Sequence, residues 1–120
     1  MRYYSYFVLG LHALVELIAG GIMLVVPTVF FPKGSYDMLE LARAFGVGAF
    51  SVGVLSVLMF RFRQRESMLM GYMILGLYQT GIMVLQIRHP MEGTPPWVAP
   101  VFHGFFVLSF TWLGYKSRSK

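Results

Sequence analysis

Residues 5–26 read SYFVLGLHALVELIAGGIMLVV. As an α-helix this run is about 33 Å long, close to the thickness of a bilayer's hydrocarbon core. It nevertheless carries His12 and Glu16 one turn apart, and the same spacing adds Gly20 to their stripe. Ionisable side chains are costly at membrane depth, so they turn towards a protein interior and mark a candidate site. Arg2 before the run and the small residues of LIAGG within it are also features of a signal peptide. Glu16 in the would-be apolar region and the full spanning length point instead to a retained membrane helix.

Outside this run the composition tells the same story. Of 120 residues, 57% are hydrophobic and only 12% charged, too few polar groups to cover a water-soluble domain. The chain therefore reads as one integral membrane unit spanning 1–120. It has no cysteine, which excludes disulfide exchange, thiolate catalysis and thiolate metal sites, and with them the quinone-linked thiol oxidases of the DsbB type. The net charge of +5 is not the footprint of a nucleic-acid binder, because the basic residues gather at the ends of apolar runs and form no groove with interleaved aromatics.

Four spanning helices are expected, at about 5–26, 38–60, 67–87 and 95–115. Between the first two lies PTVFFPKGSYD, a short interfacial loop with prolines and aromatic rings at headgroup level. Asp37 is placed to cap the second helix, with Glu40 completing a variant capping box. Within that helix Ala42, Gly46, Ala49, Gly53 and Ser56 form a stripe of small residues. Such a stripe either closes the chain's own packing or meets another subunit. RFRQRE at 61–66 separates the second and third runs, and RHPMEGTPP the third and fourth. Thr94 and Pro95 suit the start of the fourth helix, whose first turns Pro100 is expected to kink.

Lys and Arg are distributed unequally over the connections. Arg2, Arg61, Arg63, Arg65, Lys116, Arg118 and Lys120 fall on one side, and Lys33, Arg43 and Arg88 on the other. By the positive-inside rule both termini and the 61–66 turn are cytoplasmic, and the two proline-rich loops lie outside. The expected fold is an all-α, monomeric, up-down bundle of four transmembrane helices.

Counting from the outer ends places Arg43 and His103 roughly 9 Å deep, Gln79 about 12 Å and Glu16 about 15 Å. Together with His12 these are the candidate ligand-binding residues. Tyr72, Gln79 and Gln86 share a stripe, and His103 is surrounded in sequence by Pro100, Phe106, Val107 and Phe110. An apolar, aromatic pocket with few polar anchors suits a quinone head, a lipid headgroup or another planar molecule. The competing reading is purely structural: Glu16 and Arg43 neutralise each other, and Gln79 and His103 complete a network between helices. A metal site from His12, Glu16 and His103 lacks local ligand spacing beyond one i, i+4 pair. A bis-histidine haem would need marked tilting, because His12 lies nearer the inner end and His103 nearer the outer. His89, before a proline in a loop, reads as solvated, and the nine methionines read as apolar packing.

The segments LELARAFGVGAF at 39–50 and VFHGFF at 101–106, set among four short spans, resemble the DoxX-like group of small bacterial membrane proteins. That resemblance implies residence in a bacterial inner membrane, with Arg43 and His103 as the positions carried over. It also implies a membrane partner or a lipid-like ligand; the expected partners are membrane lipids, a larger membrane complex or further copies of the chain. Some members of the group are membrane subunits of quinone-linked oxidoreductases. The leading functional expectation is a non-catalytic ligand-binding or accessory subunit for a lipid-like or quinone-like molecule. The alternatives are a quinone-linked oxidoreductase subunit, in which His103 and Glu16 donate protons, and a small oligomeric transporter. The chain has no nucleotide fingerprint, so electrons would have to reach a quinone from another protein.

Overall fold

The computed structural model describes residues 2–88 and 94–118. They form α1 (Arg2–Val25), a 3-10 turn (Pro27–Val29), α2 (Tyr36–Arg61), α3 (Arg65–Arg88) and α4 (Val98–Arg118). No strand occurs among the described residues. All four helices are long and apolar enough to cross a membrane. Their outer faces carry large apolar side chains, among them Phe7, Leu14, Ile18, Leu77 and Leu108. Water would penalise so extensive an apolar surface, whereas lipid solvates it.

The helix ends follow from local chemistry. Proline supplies no amide hydrogen, and after the bond from the Val26 amide to the Ile22 carbonyl the chain leaves α1 and tightens into the Pro27–Val29 turn. At the start of α2 the Leu39 amide bonds the Ser35 carbonyl, while the Met38 amide donates to Ser35 Oγ at 3.3 Å. Ser35 is therefore the cap, two residues before the expected Asp37. Asp37 instead lies in the first turn, where a carboxylate suits the helix dipole. Glu40 does not cap; it pairs with Arg43.

The fourth helix begins at Val98, three residues later than expected from Thr94 and Pro95. The Val98 amide bonds the Pro95 carbonyl in a turn, and the first full helical bond runs from the Val101 amide to the Trp97 carbonyl. Pro100 is thus the third helical residue, where an amide has no partner within the helix in any case. It costs α4 no hydrogen bond, so the reason for a kink falls away. His89 and the rest of 89–93 lie outside the described residues, as does Lys120.

The chain divides into two compact units, Met1–Arg61 and Phe62–Lys120. In the first, α1 and α2 run antiparallel: Tyr6 meets Phe60 at one end, and Leu24 meets Gly46 towards the other. The backbones come very close. A Cβ on Gly20 would lie 2.5 Å from the Phe50 nitrogen, and one on Gly46 would lie 2.7 Å from the Leu24 nitrogen. All five residues of the small stripe, Ala42, Gly46, Ala49, Gly53 and Ser56, are buried, and Gly46 and Gly53 lie directly against α1. Of the two readings of that stripe, internal packing is the one observed.

In the second unit α3 and α4 are also antiparallel. Tyr72, Leu75 and Gln79 of α3 and His103, Phe106, Ser109, Phe110 and Leu113 of α4 supply its buried side chains. Arg65, the first residue of α3, donates from Nε to the Ser117 carbonyl at 3.0 Å and from Nη2 to the Arg118 carbonyl at 2.8 Å. A cation thereby satisfies carbonyls that the end of α4 leaves open.

Candidate functional site

In the first unit the polar centre is built by α1 and α2 together. His12 is fully buried and Glu16 is 6% exposed. One helical turn brings His12 Nε2 to 3.6 Å from Glu16 Oε1, an ion-pair distance. On its other side His12 Nδ1 lies 2.9 Å from Ser56 Oγ. The Ser56 hydroxyl in turn donates to the Val52 carbonyl at 3.1 Å, the back-bond that a helical serine makes to the preceding turn. Ser56 is fully buried. Sequence reading placed it only among small packing residues. Its polar role follows from the antiparallel register, since matching the Gly20 stripe against Gly46 and Gly53 sets position 56 opposite position 12.

Arg43 does not join this centre. Its guanidinium pairs with Glu40 on the same helix, three residues earlier, and both side chains are substantially exposed. The register explains why. Gly20 faces Gly46 and Phe50, and Leu17 faces Gly53, so Glu16 lies level with about residue 53 of α2. Ten residues of helix therefore put Arg43 about 15 Å from Glu16 along the axis. The expected Glu16–Arg43 neutralisation is replaced by two pairs local to their helices, His12–Glu16 and Glu40–Arg43.

In the second unit Gln79 of α3 and His103 of α4 meet through Gln79 Oε1 and His103 Nδ1, as the sequence suggested. Gln79 is fully buried and His103 is 9% exposed. An amide oxygen only accepts, so Nδ1 carries the hydrogen and Nε2 of the neutral ring keeps its lone pair. No buried side-chain nitrogen or oxygen lacks a partner among the described residues. His103 makes no other polar contact among them, and since no fully enclosed atom lacks a partner its Nε2 is not completely enclosed. Beside the imidazole runs an aromatic column: Phe102 sits edge-on to His103 at 5.3 Å and to Phe106 at 5.2 Å, and Phe106 stacks on Phe110 at 5.9 Å. Tyr72 stacks on Phe110 from α3 at 6.2 Å, its ring buried like those of Phe106 and Phe110. Gln86, the most C-terminal member of the α3 stripe, is only half-buried.

Within the first unit His12, Glu16 and Ser56 come together, and within the second Gln79 and His103 do. Among the described residues no three His, Asp or Glu side chains are placed to hold a metal ion. In each unit a histidine Nδ1 meets an oxygen of the neighbouring helix, Ser56 Oγ for His12 and Gln79 Oε1 for His103.

Comparison with known protein families, with curated proteins and with solved structures finds no match for this chain.

Proposed function

We propose that this protein is an integral membrane ligand-binding or accessory subunit, related to the DoxX-like group, that holds a lipid-like or quinone-like molecule at His103. In this reading the chain crosses a bacterial inner membrane four times, up and down, with both termini cytoplasmic. The observation that carries the proposal is the state of His103: its tautomer is set by Gln79, its Nε2 is not completely enclosed, and an aromatic column adjoins it. An acceptor nitrogen beside aromatic faces suits a flat or amphipathic molecule that presents a hydroxyl group. A quinol has that chemistry, and so does a lipid headgroup bearing an alcohol.

A second reading, the membrane subunit of a quinone-linked oxidoreductase, draws on the same lone pair, which can accept the proton that a quinol hydroxyl releases on oxidation. The electrons would pass to a partner protein, since the chain itself supplies no redox-active group.

Titration of the detergent-solubilised protein with short-chain quinols, quinones and phospholipids, read as a shift in Tm, tests the proposal. A quinol or hydroxyl-bearing lipid is expected to raise Tm, and His103→Leu to abolish the shift. Gln79→Leu, which releases the tautomer, is expected to weaken binding about tenfold, in line with roughly 1.4 kcal/mol for a misdirected hydrogen bond. Equal Tm with and without every class of ligand contradicts the proposal.

A further inference from the structure

We propose that the end of the α3–α4 hairpin at which α3 begins and α4 finishes binds an anionic phospholipid, its phosphate at Lys116 and Arg118 and an acyl chain along the exposed face of α4. Arg65 builds this end. Its Nε and Nη2 donate to the Ser117 and Arg118 carbonyls and so hold the first turn of α3 against the last turn of α4. Four cations are thereby gathered at one end of one hairpin, Arg63, Arg65, Lys116 and Arg118, and Glu66 is the one carboxylate there among the described residues. Two of the charges are placed by neutral groups: Arg65 by the carbonyls, and Lys116 by the Trp112 ring, whose centroid lies 4.9 Å from Nζ. Glu66 can neutralise at most one of the four, so a cationic surplus remains whichever of them it meets. At the opposite end of the hairpin the described residues carry a single lysine or arginine, Arg88.

The face of α4 that leads to these cations suits a lipid chain. Val101, Phe105, Leu108, Trp112 and Tyr115 alternate spacings of four and three and are all exposed, which makes one apolar stripe along the helix. Its two polar-tipped rings, Trp112 and Tyr115, stand at the cationic end, where such side chains sit at headgroup level. In a helix that crosses a membrane the stripe meets acyl chains, and the cations beyond it meet phosphates. Charge then selects among headgroups. Phosphatidylcholine brings its own cation beside the phosphate, whereas phosphatidylglycerol brings none, so a cationic surplus favours the second. The site is separate from His103, which lies 15 residues before Arg118, about 22 Å along the α4 axis. It rests on α4 crossing a membrane, as in the proposed function, and not on any ligand at His103.

Trp112 is itself the reporter. The chain has two tryptophans, and Trp97→Phe leaves Trp112 alone to fluoresce. The full chain with that substitution is reconstituted in phosphatidylcholine vesicles containing a minor fraction of phosphatidylglycerol. Bromine, which quenches tryptophan on contact, is carried on the chains either of the phosphatidylglycerol or of an equal amount of phosphatidylcholine. Brominated phosphatidylglycerol is expected to quench Trp112 more strongly. Lys116→Gln and Arg118→Gln should each lower that preference about fivefold, the usual worth of one cation at an anionic surface. Arg88→Gln, which removes a charge from the other end, should leave it unchanged. The ratio of the two quenchings within each variant cancels any change in Trp112's own emission. Equal quenching by the two lipids overturns the proposal. So does a preference that survives the loss of both Lys116 and Arg118, or one that Arg88→Gln lowers as much as they do. The measurement needs no ligand at His103, so failure here leaves the proposed function standing, and the reverse also holds.

Discussion

Arg43 and Glu40 lie three positions apart on a helix face, close enough to pair without help from another element. Both are substantially exposed, and such pairs contribute only about 0.2–0.5 kcal/mol. Glu16 has its own neighbour in His12. Substituting Glu16→Gln and Arg43→Gln singly and together should therefore give additive losses in detergent stability, within about 0.5 kcal/mol. Coupling above that would show that the two charges meet. The contrast is Gln79 with His103, which bond directly between helices. A cycle of Gln79→Leu and His103→Leu should return a coupling of about 0.6–2 kcal/mol, the range for interhelical hydrogen bonds in membranes. At this scale the sequence revealed which side chains are costly in hydrocarbon, and so singled out His12, Glu16, Gln79 and His103. It did not reveal partners, because depth counted along one helix says nothing about its register against the next. Ser56 was overlooked for the same reason.

Gly46 and Gly48 separate two roles of glycine within α2. A methyl group on Gly46 would lie 2.7 Å from the Leu24 nitrogen and 2.9 Å from the Gly20 oxygen, backbone atoms that cannot turn aside. Nothing lies within 4 Å of a Cβ built on Gly48. Gly46→Ala should destabilise the α1–α2 hairpin by about 1–3 kcal/mol. Gly48→Ala should be neutral or stabilising by up to about 1 kcal/mol, as the better helix former. Thermal unfolding in one detergent compares them directly, and equal effects would contradict the close approach. The four helices themselves were legible because apolar runs of this length are long enough to cross a membrane as helices. Their starts were less so: Ser35 and Asp37 are both capable caps, and only the hydrogen bonds made by Met38 and Leu39 choose between them. At the fourth helix, Thr94 and Pro95 resemble a helix start but belong to the turn that precedes it.

Four helices long and apolar enough to cross a membrane, with lipid-compatible outer faces and buried histidine centres, define the protein at the level of the whole chain. The proposed orientation rests on seven basic residues against three. Arg65 is one of the seven and also binds the end of α4, so part of that bias has a structural use. The absence of cysteine makes the topology directly measurable. Single cysteines at Thr28, Gln64, Thr94 and Ser117 can each be labelled in intact cells with a membrane-impermeant thiol reagent and again after lysis. The four-span account predicts labelling of Thr28→Cys and Thr94→Cys from outside, and of Gln64→Cys and Ser117→Cys only after lysis. Labelling of Gln64→Cys or Ser117→Cys in intact cells, or protection of Thr28→Cys and Thr94→Cys, would contradict it.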